Sequence, residues 1–578
     1  MTENNARLAK IFQQMADVIE LLGGNRFRVN AFQNASRSLR ELTRDVSELD
    51  RKELTELHGI GSGTADRIRE YLSSGQITEH QELLAEVPEG LLPLLEISGL
   101  GPKTVATLWQ QGGVTDVESL EAKLNTGELE SLPRMGKKKL EKIQQSLSFA
   151  RQAGERVRIG EAMPLAAWFV DQLRQMKEVR EAAYAGSLRR GRETVGDLDL
   201  LVSSDPDAGE KIANRFVKLE PVTEVLLKGR TKTSVRTQRG VQVDLRVVEA
   251  AAFGAALLYF TGSKQHNVEL RERAIAQKQK LSEYGLFDAE TDERVAGASE
   301  QEVYDALGLG WIPPELREAR GEIDQAAKGK LPRLLEFGDI RCELHAHTTA
   351  SDGMLSIREL AAMAIDRGFH TIAVTDHSRG QVQANGLSIE RLERHVERVR
   401  EVAAELKGKI RVLAGTEVDI LADGKLDYPD SLLRELDIVV ASPHAALTQE
   451  PAKATARLVK AIENRYVTII GHPTGRIVGR RPGLSPDMGK VIEAAAERGV
   501  ALEINANYHR LDLRDGHARS AIEAGVKLAI NTDAHGPADF DQLRYGVITA
   551  RRAGATKQDV VNTMSAGELD RWLKKTRG

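Results

Sequence analysis

The residues of this sequence with the most chemistry to offer fall into two groups. The first centres on Asp197-Leu198-Asp199-Leu200-Leu201-Val202, a strand-like run. Residues two apart in a strand face the same way, so Asp197 and Asp199 share a face while Leu198 and Leu200 point into a core. A second run, Val241-Gln242-Val243-Asp244-Leu245-Arg246-Val247, alternates with period two and puts Asp244 on its polar face. Three carboxylates, divalent ions about 3.5–4 Å apart and an attacking hydroxyl make the arrangement for in-line phosphoryl transfer. Just upstream, Gly186-Ser187-Leu188-Arg189-Arg190-Gly191 is a small-residue turn with a hydroxyl and paired arginines. Downstream, Tyr259-Phe260-Thr261-Gly262-Ser263-Lys264-Gln265-His266-Asn267 offers aromatic faces and polar groups to a nucleotide. Taken singly, these are an ordinary strand edge and an ordinary helix end; together they are a site.

The second group is histidine. Ten of the 13 histidines lie from residue 345 onward, where short apolar runs alternate with helical stretches. Seven such runs, near 342–347, 371–376, 411–416, 437–443, 467–471, 500–505 and 527–532, are the pattern of parallel β/α units. Their ends read His345-Ala346-His347, Thr375-Asp376-His377, Thr416-Glu417, Pro443-His444, Gly471-His472-Pro473 and Thr532-Asp533-Ala534-His535. A β/α barrel builds its site at the C-terminal ends of its strands, so most of these side chains converge on one mouth. Imidazoles and carboxylates without thiolates suit zinc, manganese or iron rather than calcium. His370, His395, His509 and His517 lie outside these strand ends and read as satisfied surface or core residues.

These groups need a multidomain scaffold, because 578 residues exceed one core. Apolar residues recur at helical spacing through Leu8, Ile11, Phe12, Met15, Val18, Ile19 and Leu22, and Gly23-Gly24 stops that helix. Three glycine-bearing hairpins follow: Leu57 to Gly63, Ile97 to Lys103 and the weaker Leu132 to Lys137. Such turns free backbone N–H groups at the next helix start to face a phosphate, so Gly59, Gly61, Gly99, Gly101 and Gly136 are expected DNA-backbone contacts. Overall charge argues nothing for nucleic acid: the chain is −4, with 47 Lys and Arg against 53 Asp and Glu in residues 1–340. Basic residues do cluster locally, at Lys137 to Lys139, Arg189 to Arg192 and Lys228 to Arg239. Cys342, the single cysteine, excludes disulfides and thiolate metal clusters. The absence of a long apolar run or a secretory leader predicts a cytoplasmic, nucleoid-associated protein with no membrane partner.

The order of hairpins, Gly-Ser-x-Arg-Arg-Gly motif, Asp-x-Asp strand, later Asp and Tyr-Phe-Thr-Gly-Ser run resembles family X DNA polymerases over residues 1–318. Residues 340–570 resemble the polymerase-and-histidinol-phosphatase (PHP) domain. Together they resemble bacterial family X polymerases carrying a PHP domain. The resemblance implies helix-hairpin-helix domains at 1–80 and 81–152, an α+β nucleotidyltransferase palm at 153–260 and a small thumb at 261–318. A linker at 319–338 and a distorted seven-stranded β/α barrel at 339–578 follow. It implies catalytic metal binding by Asp197, Asp199 and Asp244, and nucleotide binding by Ser187, Arg190, Tyr259, Phe260 and Asn267. In the barrel it implies a nine-residue ligand set: His345, His347, Asp352, His377, Glu417, His444, His472, Asp533 and His535. Mg²⁺ or Mn²⁺ is expected at the first site, and Zn²⁺ or Mn²⁺, up to three ions, at the second. Expected partners are dNTPs and gapped or primed DNA, and the chain is expected to act as a monomer. The expected activities are templated gap filling in DNA repair and removal of nucleotides from 3′ ends. A structural barrel or a small-ester phosphatase is the alternative for the second half. Arg476, Arg480 and Arg481 are candidate phosphate holders there. Arg67 stands where beta-type enzymes carry a Schiff-base lysine, and a guanidinium is a poor imine former, so deoxyribose-phosphate lyase activity is not expected.

Overall fold

Helical spacing in the first 150 residues gives an all-helical unit. The computed structural model describes residues 3–577 apart from 43, 58, 96–99, 134, 137, 138, 142, 145, 146, 148–155, 480 and 482. The chain forms two compact units, Met1–Glu155 with Ser485–Gly489, and Arg156–Leu484 with Lys490–Gly578. In the first, Leu8, Phe12, Met15 and Ile19 lie on one face of the helix Glu3–Leu21 and are buried. Phe12 stacks on Phe32 of the helix Arg26–Glu41 with centroids 5.7 Å apart. Full burial of each such side chain is worth about 1.5–3 kcal/mol. Gly61 and Gly101 immediately precede the helices Ser62–Ser74 and Pro102–Gln110. Gly136 accepts from the Lys139 amide at the start of the third.

The second unit begins with a five-stranded sheet. In spatial order its strands are Val179–Tyr184, Asp197–Ser204, Gln242–Val248, Lys232–Thr237 and Val222–Lys228. The two carboxylate strands are parallel neighbours, with Asp199 directly opposite Asp244. Leu198, Leu200, Val243 and Leu245 fill the core beneath them with Phe169 and Leu173 of the helix Ile159–Arg174. The helices Phe253–Thr261 and Lys264–Ala276, a three-stranded meander and the helix Glu300–Ala306 then enclose a smaller core. The segment read as a linker does not hang free. Residues 322–327 are helical, and Ile323, Ala326 and Leu334 complete that smaller core because the charged stretch carries an apolar stripe.

The rest is a seven-stranded parallel sheet in sequential order, from Cys342–Glu343 to Leu528–Asn531. An isolated parallel bridge from Ala346 to Ala534 joins its first and last members, so the sheet nearly closes. The strands are buried almost throughout and mostly apolar, because helices cover the outside and side chains fill the inside. No helix among the described residues is long and apolar enough to cross a membrane.

Candidate active sites

In the palm, strand alternation buries Leu198 and Leu200 and leaves Asp197 exposed and Asp199 half-buried. Asp244 Oδ1 accepts from Gln242 Nε2 at 3.0 Å, and Asp244 Oδ2 pairs with Lys232 Nζ at 2.8 Å. Burial, then the neighbouring Asp197 and Asp244 charges, push the Asp199 carboxyl up to about 7. Lys232 and Arg246 offset this only in part, so the crowded face calls for a cation. The Gly-Ser turn touches this face. Gly186 has φ +64°, and a Cβ there would lie 2.2 Å from Asp199 Oδ2, so only glycine fits. Ser187 and Arg189 belong to the short helix Gly186–Arg189. Arg190 Nε donates to Glu318 at 3.0 Å, and its Nη1 donates to the Thr261 carbonyl. Tyr259 and Phe260 meet edge to face at 5.2 Å, Arg246 lies over Phe260, and Asn267 Nδ2 donates to the Tyr259 carbonyl.

At the barrel mouth, His345, His347, Glu417 and His472 are at most 1% exposed. Donor atoms cluster in three groups: His347, Asp352, His377 and His535; His345, His347, Glu417 and Asp533; and His377, Glu417 and His444. His472 Nε2 donates to Glu417 Oε1 at 2.9 Å. Supporting carboxylates fix the imidazoles. Nδ1 of His345 donates to Glu503 at 2.8 Å, and Nδ1 of His444 donates to Asp419. Each thereby turns Nε2 toward Glu417, at 3.4 and 3.3 Å. Burial, then His377 and His535, lower the His347 pKa to about 4, leaving a neutral ligand. Burial opposes protonation of His444 and His535, but Glu417 and Asp419 for the one, and Asp352 and Asp533 for the other, raise each to about 9. The fit to metal is visible in orphaned atoms. His345 Nε2, His377 Nδ1 and Glu417 Oε2 are buried with no hydrogen bond formed, the last two only 2.7 Å apart, a crowding that costs free energy unless an ion takes it up. Two residues of the nine-residue set also have unusual backbones: His472 and Asp533 sit at φ +25° and +53°. A cavity of about 280 Å³ opens onto the cluster, lined also by Gln381, Gln383, Arg481 and Arg510. A larger one, about 760 Å³, lies at the strands' opposite ends beside Lys527 and Trp572 and holds no histidine or aspartate.

Four family models match: "Helix-hairpin-helix domain" over residues 3–77, "SAM-like Helix-hairpin-helix tandem" over 91–148, "DNA polymerase beta thumb" over 256–318 and "PHP domain" over 343–507. The "DNA polymerase/3'-5' exonuclease PolX" of Bacillus subtilis (strain 168) is 40% identical over 570 residues, 98% of this chain and 99% of that protein. The chain belongs to the family X DNA polymerases that carry a PHP domain. The barrel half is also similar to a "Probable phosphatase" of Thermoanaerobacter sp. (strain X514), 32% identical over 41% of this chain and 95% of that protein. A third relative, a "Probable phosphatase" of Caldanaerobacter subterraneus, is 30% identical over 41% of the chain and 91% of its own length.

Within this family X chain, several site residues gave no sequence signal. Lys232 sits in a basic run that reads as a solvated face, yet it pairs with Asp244. Glu503 and Asp419 lie inside strands, and only their partners mark them as supports. Asp376 is consumed by Thr348, Ser351 and His395. Of the arginines after His472, Arg476 does not face the cavity: it forks onto Glu193 of the palm. Arg481 lines the cavity, and Arg480 lies outside the described residues, as does Gly99. A Cβ at Gly61, Gly101 or Gly136 would meet open space, the clearance a phosphate backbone needs, whereas Gly59 at φ +79° backs onto Asn34 and serves the turn.

Proposed function

We propose that this chain fills short DNA gaps by templated nucleotide addition at the palm and removes nucleotides from 3′ ends at the barrel, as a monomeric cytoplasmic repair enzyme. The observation that supports the reading is that eight of the nine barrel residues fall into three donor groups and Asp199 stands opposite Asp244, in one chain that aligns over 98% of its length with a polymerase/exonuclease. Asp197, Asp199 and Asp244 hold Mg²⁺ or Mn²⁺, and Ser187 and Arg190 hold the triphosphate. Tyr259, Phe260 and Asn267 line its sugar and base. In the barrel the nine residues from His345 to His535 hold up to three Zn²⁺ or Mn²⁺ ions. Divalent cations, when bound, neutralise phosphate charge and make a nearby hydroxyl or water acidic at neutral pH. The chain's own part is positional. Glu503 and Asp419 aim imidazoles, Gly186 lets the phosphate-binding turn approach Asp199, and Arg481 and Arg510 present guanidinium to the strand being cut. Gly61, Gly101 and Gly136 hold the duplex by its backbone, without reading bases.

One labelled gapped duplex tests both halves. D197A with D199A should abolish extension and spare 3′ degradation; H345A with H347A should do the reverse. Extension surviving the first pair, or degradation surviving the second, refutes the corresponding assignment. The two phosphatase relatives support a second reading of the barrel, hydrolysis of a small phosphate ester. Competition between single-stranded DNA and histidinol phosphate at equal concentration discriminates, with DNA expected to win.

A further inference from the structure

The turn that carries Arg190 is built onto the barrel half. Gly191, at φ +68°, packs so tightly that a Cβ would lie 2.2 Å from Ile548 Cγ2 of the barrel helix Leu543–Arg552. At the end of that helix Arg552 is buried, its side chain 3% exposed. Its Nη1 donates to the Arg190 carbonyl at 2.6 Å and to Glu318 Oε1 at 2.9 Å, and its Nη2 donates to Asp515 at 2.8 Å. The same Glu318 oxygen accepts from Arg190 Nε. Both the backbone and the side chain of Arg190 are therefore held through one barrel residue. With Nε given to Glu318 and Nη1 to Thr261, Nη2 is the Arg190 nitrogen with no hydrogen bond among the described residues. Charge points the same way. Arg190, Arg192, Arg320 and Arg552 surround two carboxylates, Glu318 and Asp515. The cluster thus has cationic surplus, three of its guanidinium groups mostly buried and that of Arg192 42% exposed, and such a surplus favours an anion.

We propose that Arg552 of the PHP half is a positioning residue of the polymerase, orienting Arg190 toward the incoming nucleotide's triphosphate through Glu318 and the Arg190 carbonyl. This rests on the reading of Arg190 as a triphosphate holder. A guanidinium that bridges three acceptors cannot be matched by an amide or an ammonium. Its loss loosens nucleotide binding and leaves the metal carboxylates in place.

The test is steady-state single-nucleotide gap filling in Mg²⁺ by the full chain, with dNTP KM and kcat measured separately. R552Q should raise the KM for dNTP about tenfold, about 1.4 kcal/mol, with kcat within about twofold. R552K, which keeps the buried charge and so guards against failure to fold, should raise KM by less. The 3′ exonuclease on single-stranded DNA and the melting temperature report folding, and the exonuclease should stay at the parent rate in both variants. R190A is the control: if it leaves KM unchanged, the Arg190 reading itself fails. If R190A raises KM while R552K and any folded R552Q stay within twofold of the parent, or lower kcat alone, the positioning role is overturned.

Discussion

Glu300→Gln is the sharpest test of how the thumb is held. One carboxylate accepts five hydrogen bonds: from Arg189 at 2.6 and 2.8 Å, from Arg317 at 2.7 and 3.0 Å, and from Trp311 Nε1 at 3.1 Å. Arg317 is fully buried and Arg189 largely so. Burial alone would raise the Glu300 pKa, but the two guanidinium groups hold it well below the usual carboxylate range. The glutamine keeps the shape, removes the charge and turns an N–H toward guanidinium, leaving two cations without a counter-charge. Breaking such a buried pair costs about 3–5 kcal/mol. With a urea slope near 2 kcal/mol per molar for a domain of this size, the midpoint should fall by about 1.5–2.5 M. Trp311 is the reporter, in a background with Trp109, Trp168 and Trp572 changed to Phe. A midpoint within about 0.3 M of the parent, roughly 0.6 kcal/mol at that slope, would refute the view that this carboxylate ties thumb to palm.

Gly186→Ala should cut extension by about 10²-fold or more, because its methyl displaces Asp199, with exonuclease unchanged; near-parental extension would contradict the geometry. Elemental analysis should find that Glu417→Gln loses more bound metal than Asp352→Asn, since Glu417 belongs to two of the three donor groups and Asp352 to one. Burial opposes ionisation of Glu318, but Arg552, Arg190 and Arg192 outweigh it and depress its pKa. Its stabilisation is then complete above the ordinary carboxylate range, about 4, and is lost as pH falls through the depressed folded value. The melting temperatures of the parent and of Glu318→Gln should therefore converge as pH is lowered from 7 toward 3. Borohydride trapping on abasic DNA should give no adduct that depends on Arg67, whose guanidinium is ion-paired with Glu79 over Phe32.

What the sequence made legible was periodic. The i, i+2 spacing of Asp197 and Asp199 determines a shared face whatever the sheet does, and parallel strands end where their apolar runs end, so the histidines could be placed at one mouth. What stayed hidden depends on partners far apart in the chain. Glu503 meets His345 across 158 positions, and no local pattern encodes that. The same holds for Arg476, whose place after His472 suggested phosphate but whose partner is Glu193. The segment 319–338 misled because its seven charged residues are interleaved with its apolar ones, and the core that Ile323, Ala326 and Leu334 join is built from residues distant in the chain.

The palm and barrel share more than a chain. Leu511 and Tyr545 of the barrel are buried in the palm's own core, with Tyr508 and Ile548 packed against it. Arg158 Nε donates to the Val478 carbonyl, and Arg476 forks onto Glu193. Domains of one chain move freely only when their interface is small and polar. This one joins an apolar core to buried ion pairs, so separating the halves would expose apolar side chains and strand buried charges together. The palm and barrel therefore work as one body, with both active sites fixed in it.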